Sequence, residues 1–193
     1  MLTLTPDFAI FLPGFNLFRS DRKSRIDGGV CIYVCSKYQD CNIIHPSPLV
    51  SDIEILWLQC TIRGVLYYIA CCYHPPKPRY PPSQYCDQLS ADVQILIASY
   101  PSSIIIIAGD FNQLDLGFLE VQYGLHQLVT DVTHGNNVLD KVFINRLDIC
   151  STIVLRSLLK TKHSAVLVRP VIDRQICNKV VAKRKKISLY ESL

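Results

Sequence analysis

The sequence predicts an α/β fold in which strands and helices form layers, and three stretches carry that prediction. Ile104 to Ile107, with Ala108, run without polar alternation, the pattern of a strand buried on both faces in the middle of a layered structure. IEILWLQCTI (Ile53 to Ile62) and VLYYIACCY (Val65 to Tyr73) are β-rich and separated only by Arg63-Gly64, the pattern of a hairpin with a tight glycine turn. Between them and the isoleucine run, Leu89, Val93, Leu96 and Ile97 recur at three- and four-residue steps, which predicts an amphipathic helix over Ser83 to Tyr100 covering a sheet face.

The 193 residues fit one domain with a single core, and 49% hydrophobic against 19% charged content is too apolar for a disordered chain. The apolar runs fall far short of the roughly 20 residues that cross a bilayer as a helix. The start, MLTLTPDFAIFLPGF, lacks the basic leading region of a secretory signal, so an intracellular setting and no membrane partner are expected. Nine cysteines are an odd number and argue against a disulfide framework. Cys31, Cys35 and Cys41, or Cys71 and Cys72 beside His74, do not complete a zinc site with matching spacing.

The net charge of +4 is modest, and its excess sits in the tail, at Arg174, Lys179, Lys183, Arg184, Lys185 and Lys186. Such a run can hold phosphates, act as a nuclear import signal, or be a solvated linker. The tail therefore divides the chain into a domain over 1–168 and a basic linker over 169–193.

Along the chain, Pro13-Gly14 marks a turn, SDRKSR a charged stretch, and Gly28-Gly29 a sharp entry into the strand VCIYVC. That strand and the two that follow are expected to form one antiparallel set. HPPKPRYPPS is too rich in proline for sheet or helix and must be an irregular loop leaving the strand that ends at Tyr73. After the isoleucine strand the pattern predicts a short helix over Gly117 to Tyr123. Strands are then expected around Leu125 to Thr130, Leu139 to Ile144 and Ser164 to Val168.

The isoleucine strand runs directly into Asp110-Phe111-Asn112. Strand ends are where α/β sheets present reactive side chains. Asp110 can orient or deprotonate a water and share a cation, and Asn112 can donate to an anionic oxygen without repelling it. The same three residues would equally serve as a turn that closes a strand.

GGVCIYV, the acid in IEILWLQC, CCYHPP, IIAGDFN, NNVLDKVFIN and KTKHSAVLV resemble, in that order, the motifs of the endonuclease/exonuclease/phosphatase superfamily. LPGFNLFRSDRKSRIDGGVCIYV is particularly similar to the early part of the endonuclease domain of non-LTR retrotransposons. The resemblance reaches to about Val168. It implies a four-layer α/β sandwich, two facing β-sheets with helices outside, and phosphodiester hydrolysis of DNA aided by Mg2+ or Mn2+. On that pattern Asp110 activates the attacking water and Asn112 donates to the phosphate, both lying close to the metal. His163 contacts the same phosphate, Asp140 orients His163, and Tyr73 is a further phosphate contact. A reverse transcriptase domain in a longer parent is the implied partner. Without that context Tyr73 reads equally as an aromatic cap on a hydrophobic layer.

Two departures stand against the family pattern. Thr161-Lys162-His163 occupies the place of Ser-Asp-His, so a cation replaces a metal-binding carboxylate and should weaken metal binding. The family's first strand and its metal-binding Glu would precede Met1, and Glu54 already matches a different family position. Three functions remain open on this reading: an active DNA-nicking endonuclease, an inactive remnant of one, or a nucleic-acid-binding module using the basic tail with Tyr73, Tyr80 and Tyr85.

Overall fold

A computed structural model describes residues 6–22, 28–48, 50, 52–157 and 161–171. The basic tail beyond residue 171 and the KSR half of SDRKSR lie outside the described residues, so the expectations placed on them do too. The strands are β1 (Phe15–Asp21), β2 (Gly29–Cys35), β3 (Cys41–Ile44), β4 (Glu54–Ile62), β5 (Val65–Tyr73), β6 (Ile104–Asp110), β7 (His126–Gln127), β8 (Asp140–Ile144), β9 (Cys150–Leu155) and β10 (Ala165–Pro170). The helices are α1 (Pro82–Ser99) and α2 (Gly117–Tyr123), preceded by a single 3-10 turn at Asp7–Ile10.

Six strands form one mixed sheet in the order β3-β4-β5-β6-β8-β7, and β1-β2 and β9-β10 form two antiparallel ribbons. The β4-β5 hairpin turns at Arg63 and Gly64, both at positive φ (53° and 78°), as a two-residue hairpin turn of primed type requires. β5 and β6 run parallel, so the chain must cross over between them, and α1 is that crossover.

The parity of each strand separates two cores. Ile55, Trp57, Tyr68, Ala70, Cys72, Ile105, Ile107 and Phe143 face α1, where Tyr85, Leu89, Val93 and Leu96 meet them, with Leu119 of α2 in the same cluster. Leu58, Cys60 and Tyr67 face the other way and pack against Phe18 of β1 and Ile32 and Val34 of β2. On the outer face of that ribbon lies the 3-10 turn, tied by Asp7 to Arg19 and by the Ile10 carbonyl to Tyr33. The layers are thus helices, six-stranded sheet, ribbons and the 3-10 turn, the expected α/β sandwich.

Several local expectations change. β2 does not join β4 and β5: it pairs with β1 along its whole length, while the outer edge of β4 takes β3. A strand's hydrophobic pattern says which face is buried and nothing about which edge it pairs with. β1 gives no clear strand signal because its pairing continues into the charged Arg19-Ser20-Asp21. β9 is a further strand beyond those expected. β7 keeps only two of the residues expected for a strand around Leu125 to Thr130, whereas β10 extends to Pro170.

Candidate active site

Tyr73 is the last residue of β5, Asp110 the last of β6, Asp140 the first of β8 and Glu54 the first of β4. Register aligns them in one row: Glu54 pairs with Tyr73, Tyr73 with Asp110, and Asp110 with Asp140. Paired residues on neighbouring strands project to the same side of a sheet, about 4.8 Å apart. All four therefore lie on the ribbon face, at the end of the layer between sheet and ribbons. Gly109 permits the close approach of β5 to β6 beside them, since a Cβ there would lie 2.0 Å from the Cys72 carbonyl oxygen.

The second ribbon brings His163, just before β10, onto this row. His163 Nδ1 lies 2.9 Å from Asp140 Oδ2, and Nε2 lies 4.0 Å from Asp110 Oδ2. The ring is set by backbone contacts: Ser164 N–H donates to the Thr133 carbonyl at 2.7 Å, and His134 forms a β-bridge with His163. The buried Thr133 hydroxyl oxygen accepts from both Leu139 N–H and Asp140 N–H at 3.0 Å. One loop thereby fixes both members of the Asp140–His163 pair. The His134 ring stands with its centroid 4.5 Å from that of His163.

Asn112 has a left-handed backbone (φ 49°), a conformation Asn tolerates better than most residues. Its N–H donates to Asp110 Oδ1 at 3.0 Å, and its Nδ2 donates to the His74 carbonyl at 2.7 Å. The amide is thus braced against the strand end, with its second N–H left over. Burial pushes the Asp110 carboxyl above its ordinary range. The Asn112 N–H opposes that shift, Asp140 adds to it, and His163 and His134 oppose it. Burial also raises the Tyr73 phenol, helped by the Asp110 and Glu54 carboxylates and resisted by Arg22, so Tyr73 is a neutral donor at physiological pH.

On the far side of Tyr73 the row ends in an ion pair, with Arg22 Nη2 2.6 Å from Glu54 Oε1 and the guanidinium carbon 5.9 Å from the Tyr73 ring centre. Glu54 is buried, and its Oε1 is held by Arg22. Tyr85 is fully buried, with its hydroxyl 3.4 Å from the Glu54 carbonyl, so it cannot stack on a nucleic acid. That removes one of the three tyrosines on which the binding-module reading rested.

Asp110, Asp140 and His163 turn one donor atom each to a common point, all within 4.8 Å of one another, the makings of a metal site. Two carboxylates meet the minimum that Mg2+ commonly takes from protein, its remaining positions being filled by water and substrate oxygens. The donor set therefore fits a divalent ion, and the residue next to His163 in sequence is the exposed Lys162.

Residue types alone do not reveal Thr133, His134 or the partnership of Arg22 with Glu54. Gly135-Asn136-Asn137 does signal a turn. Nothing local signals that the turn reaches across to His163.

The fold is an α/β sandwich similar to that of solved endonuclease/exonuclease/phosphatase proteins. Among solved structures of this fold is the endonuclease domain of TRAS1, a telomere-specific non-LTR retrotransposon. It matches at 18% identity and a TM-score of 0.63, over 84% of this chain and 82% of that one. An endonuclease/exonuclease/phosphatase family protein from Leptotrichia buccalis matches at 15% identity and 0.58, over 85% and 75%. The human Nocturnin catalytic domain, solved with a bound sulfate anion, matches at 14% and 0.55, over 82% and 73%. No protein-family model and no curated protein matches the chain by sequence. No described helix is long and apolar enough to cross a membrane.

Proposed function

We propose that this chain is a phosphodiester hydrolase that nicks DNA in the manner of a retrotransposon endonuclease. The observation that carries the reading is the convergence of Asp110, Asp140 and His163 beside Tyr73 at one end of the sandwich. Asp110 receives the proton of the attacking water. Asp140 holds the His163 ring through Nδ1, so Nε2 faces the reaction centre and donates to a phosphate oxygen. Tyr73 and the second N–H of Asn112 add neutral donors, which stabilise the extra negative charge of a pentavalent phosphorus without a cost in repulsion. Mg2+ or Mn2+ held by Asp110 and Asp140 would supply Lewis-acid stabilisation of that charge.

Lys162 favours a second reading, the same fold without turnover, because it places a positive charge where the resemblance calls for a carboxylate. A supercoiled-plasmid nicking assay separates the two readings. Magnesium-dependent nicking that disappears in His163→Ala supports the enzyme. Absence of nicking by the native chain, with activity appearing in Lys162→Asp, supports the inactive form.

A further inference from the structure

Next to the catalytic row, on the side of Tyr73 away from Asp110, lies a cleft of ≈ 230 Å³ lined by Arg22, Glu54, Tyr73, Lys77, Arg79 and Tyr80, among others. Its chemistry differs from that of the row. Arg22 is pinned by Glu54 with its guanidinium 5.9 Å from the Tyr73 ring centre, a fixed cation at the floor. Lys77 and Arg79 are exposed on the proline-rich loop, and among the described residues neither has a carboxylate within ion-pair distance. Pro75, Pro76, Pro78 and Pro81 restrict the backbone of that loop, so ordering its main chain on a ligand costs little.

Asp52 and Glu54 also line the cleft, and Glu54 is already neutralised by Arg22. Arg22, Lys77 and Arg79 against Asp52 and Glu54 leave the lining with one positive charge in excess, in a cleft that Tyr73 also borders. Neither Asp110 nor His163 lines this cleft, so a ligand engaging both that pair and these two cations carries more than one phosphate, as a polynucleotide does.

We propose that this cleft is the subsite for the phosphodiester neighbouring the scissile one in a DNA strand, with Lys77 and Arg79 holding its phosphate. It would make the substrate a polynucleotide and not a small phosphate ester. The proposal rests on the nuclease reading above for its substrate, yet it can be tested without any turnover.

The experiment is fluorescence anisotropy of a short labelled DNA duplex titrated with the full chain in excess chelator, across a salt series. The native chain is compared with the Lys77→Ala/Arg79→Ala double variant, the charge-preserving Lys77→Arg/Arg79→Lys double variant, and Lys37→Ala as a control for general loss of charge. The expected result is about a tenfold or greater loss of affinity in the alanine double variant. The slope of log affinity against log salt should become shallower by about 0.9 for each phosphate that the variant no longer neutralises. The charge-preserving variant should keep most of the affinity, and Lys37→Ala should match the native chain. Melting followed by Trp57 fluorescence verifies that each variant is folded. An alanine double variant that binds no more weakly than Lys37→Ala, or a native chain with no affinity for the duplex, overturns the proposal. A chain that binds through Lys77 and Arg79 but never nicks keeps the subsite and sinks only the hydrolase reading.

Discussion

Asp140 and His163 are 23 residues apart in sequence and meet with Oδ2 2.9 Å from Nδ1. Asp140 opens β8 in the central sheet, and His163 precedes β10 in a separate ribbon, so no local pattern could pair them. Their alignment depends on the Thr133 to Asn137 turn, where Thr133 accepts from Asp140 N–H and from Ser164 N–H, next to His163.

The first prediction concerns this pair. A carboxylate that orients an imidazole acts on the chemical step, so Asp140→Asn and His163→Ala should each lower kcat of nicking by about 10²- to 10⁴-fold. The effect on KM should be smaller. The double variant should be little worse than either single variant, because the two side chains act as one unit.

Thr133 should behave as a positioning residue. Its hydroxyl oxygen accepts the buried Leu139 N–H and the half-buried Asp140 N–H, and losing an acceptor for a buried donor costs about 1–3 kcal/mol. Thr133→Val should lower Tm and reduce kcat together, and Thr133→Ser should restore both. A kcat loss without a Tm loss, or no rescue by serine, would count against this role.

Gly109 is required by space and not by backbone angle. A Cβ at this position would meet the Cys72 carbonyl oxygen at 2.0 Å, so β5 and β6 would have to part beside Tyr73 and Asp110. Gly109→Ala should destabilise the fold by about 1–3 kcal/mol or more, the range for overpacked interiors. Chemical denaturation followed by fluorescence of the single tryptophan would measure it.

Asp92 offers a pH test remote from the site. It is fully buried on α1 and accepts from Ser47 N–H, Ser47 Oγ, Trp57 Nε1 and Gln88 Nε2. Burial pushes its carboxyl above the ordinary 3.8, and the bonds from Ser47, Trp57 and Gln88 only partly oppose that. The folded chain thus keeps this proton to higher pH than the unfolded chain does. The associated stability is complete below 3.8 and is lost as pH rises through the folded pKa. Tm of the native protein should therefore fall relative to that of Asp92→Asn as pH increases from below about 4 toward neutrality. A difference in Tm that is flat with pH would contradict the raised pKa.

Lys162 gives a prediction for metal dependence. Replacing its charge by Lys162→Asp, next to His163 in sequence, should lower the Mg2+ concentration that half-saturates nicking, on the order of tenfold. Chelator should abolish nicking by both forms. Magnesium titration of initial rates is the measurement.

Much of this architecture is legible in local pattern. The Ile104 to Ala108 run predicts a strand covered on both faces; Ile105 and Ile107 are buried in the α1 core, whereas Ile106 and Ala108 on the opposite face are only half-buried. The α1 stripe of Leu89, Val93 and Leu96 packs as its spacing implies. Asp110, Asn112, Asp140, His163 and Tyr73 are legible only through ordered resemblance, since each alone suits a turn or a cap. Thr133 and the Arg22–Glu54 pair leave no local trace, because each functions through a partner on another element.

Short-range pattern sets which faces of β4, β5, β6 and α1 are buried against each other and puts Tyr73 and Asp110 at the ends of β5 and β6. These follow from periodicities of two and 3.6 residues and from turn-forming glycines and prolines, all short-range properties of the chain. Tertiary structure decided which edges pair, so that β2 joined β1 and β4 took β3. It also decided that four strand ends line up as Glu54, Tyr73, Asp110 and Asp140. Register between strands and the approach of a separate ribbon depend on packing across the whole domain. That packing places His163 on Asp140 and an arginine beside Tyr73.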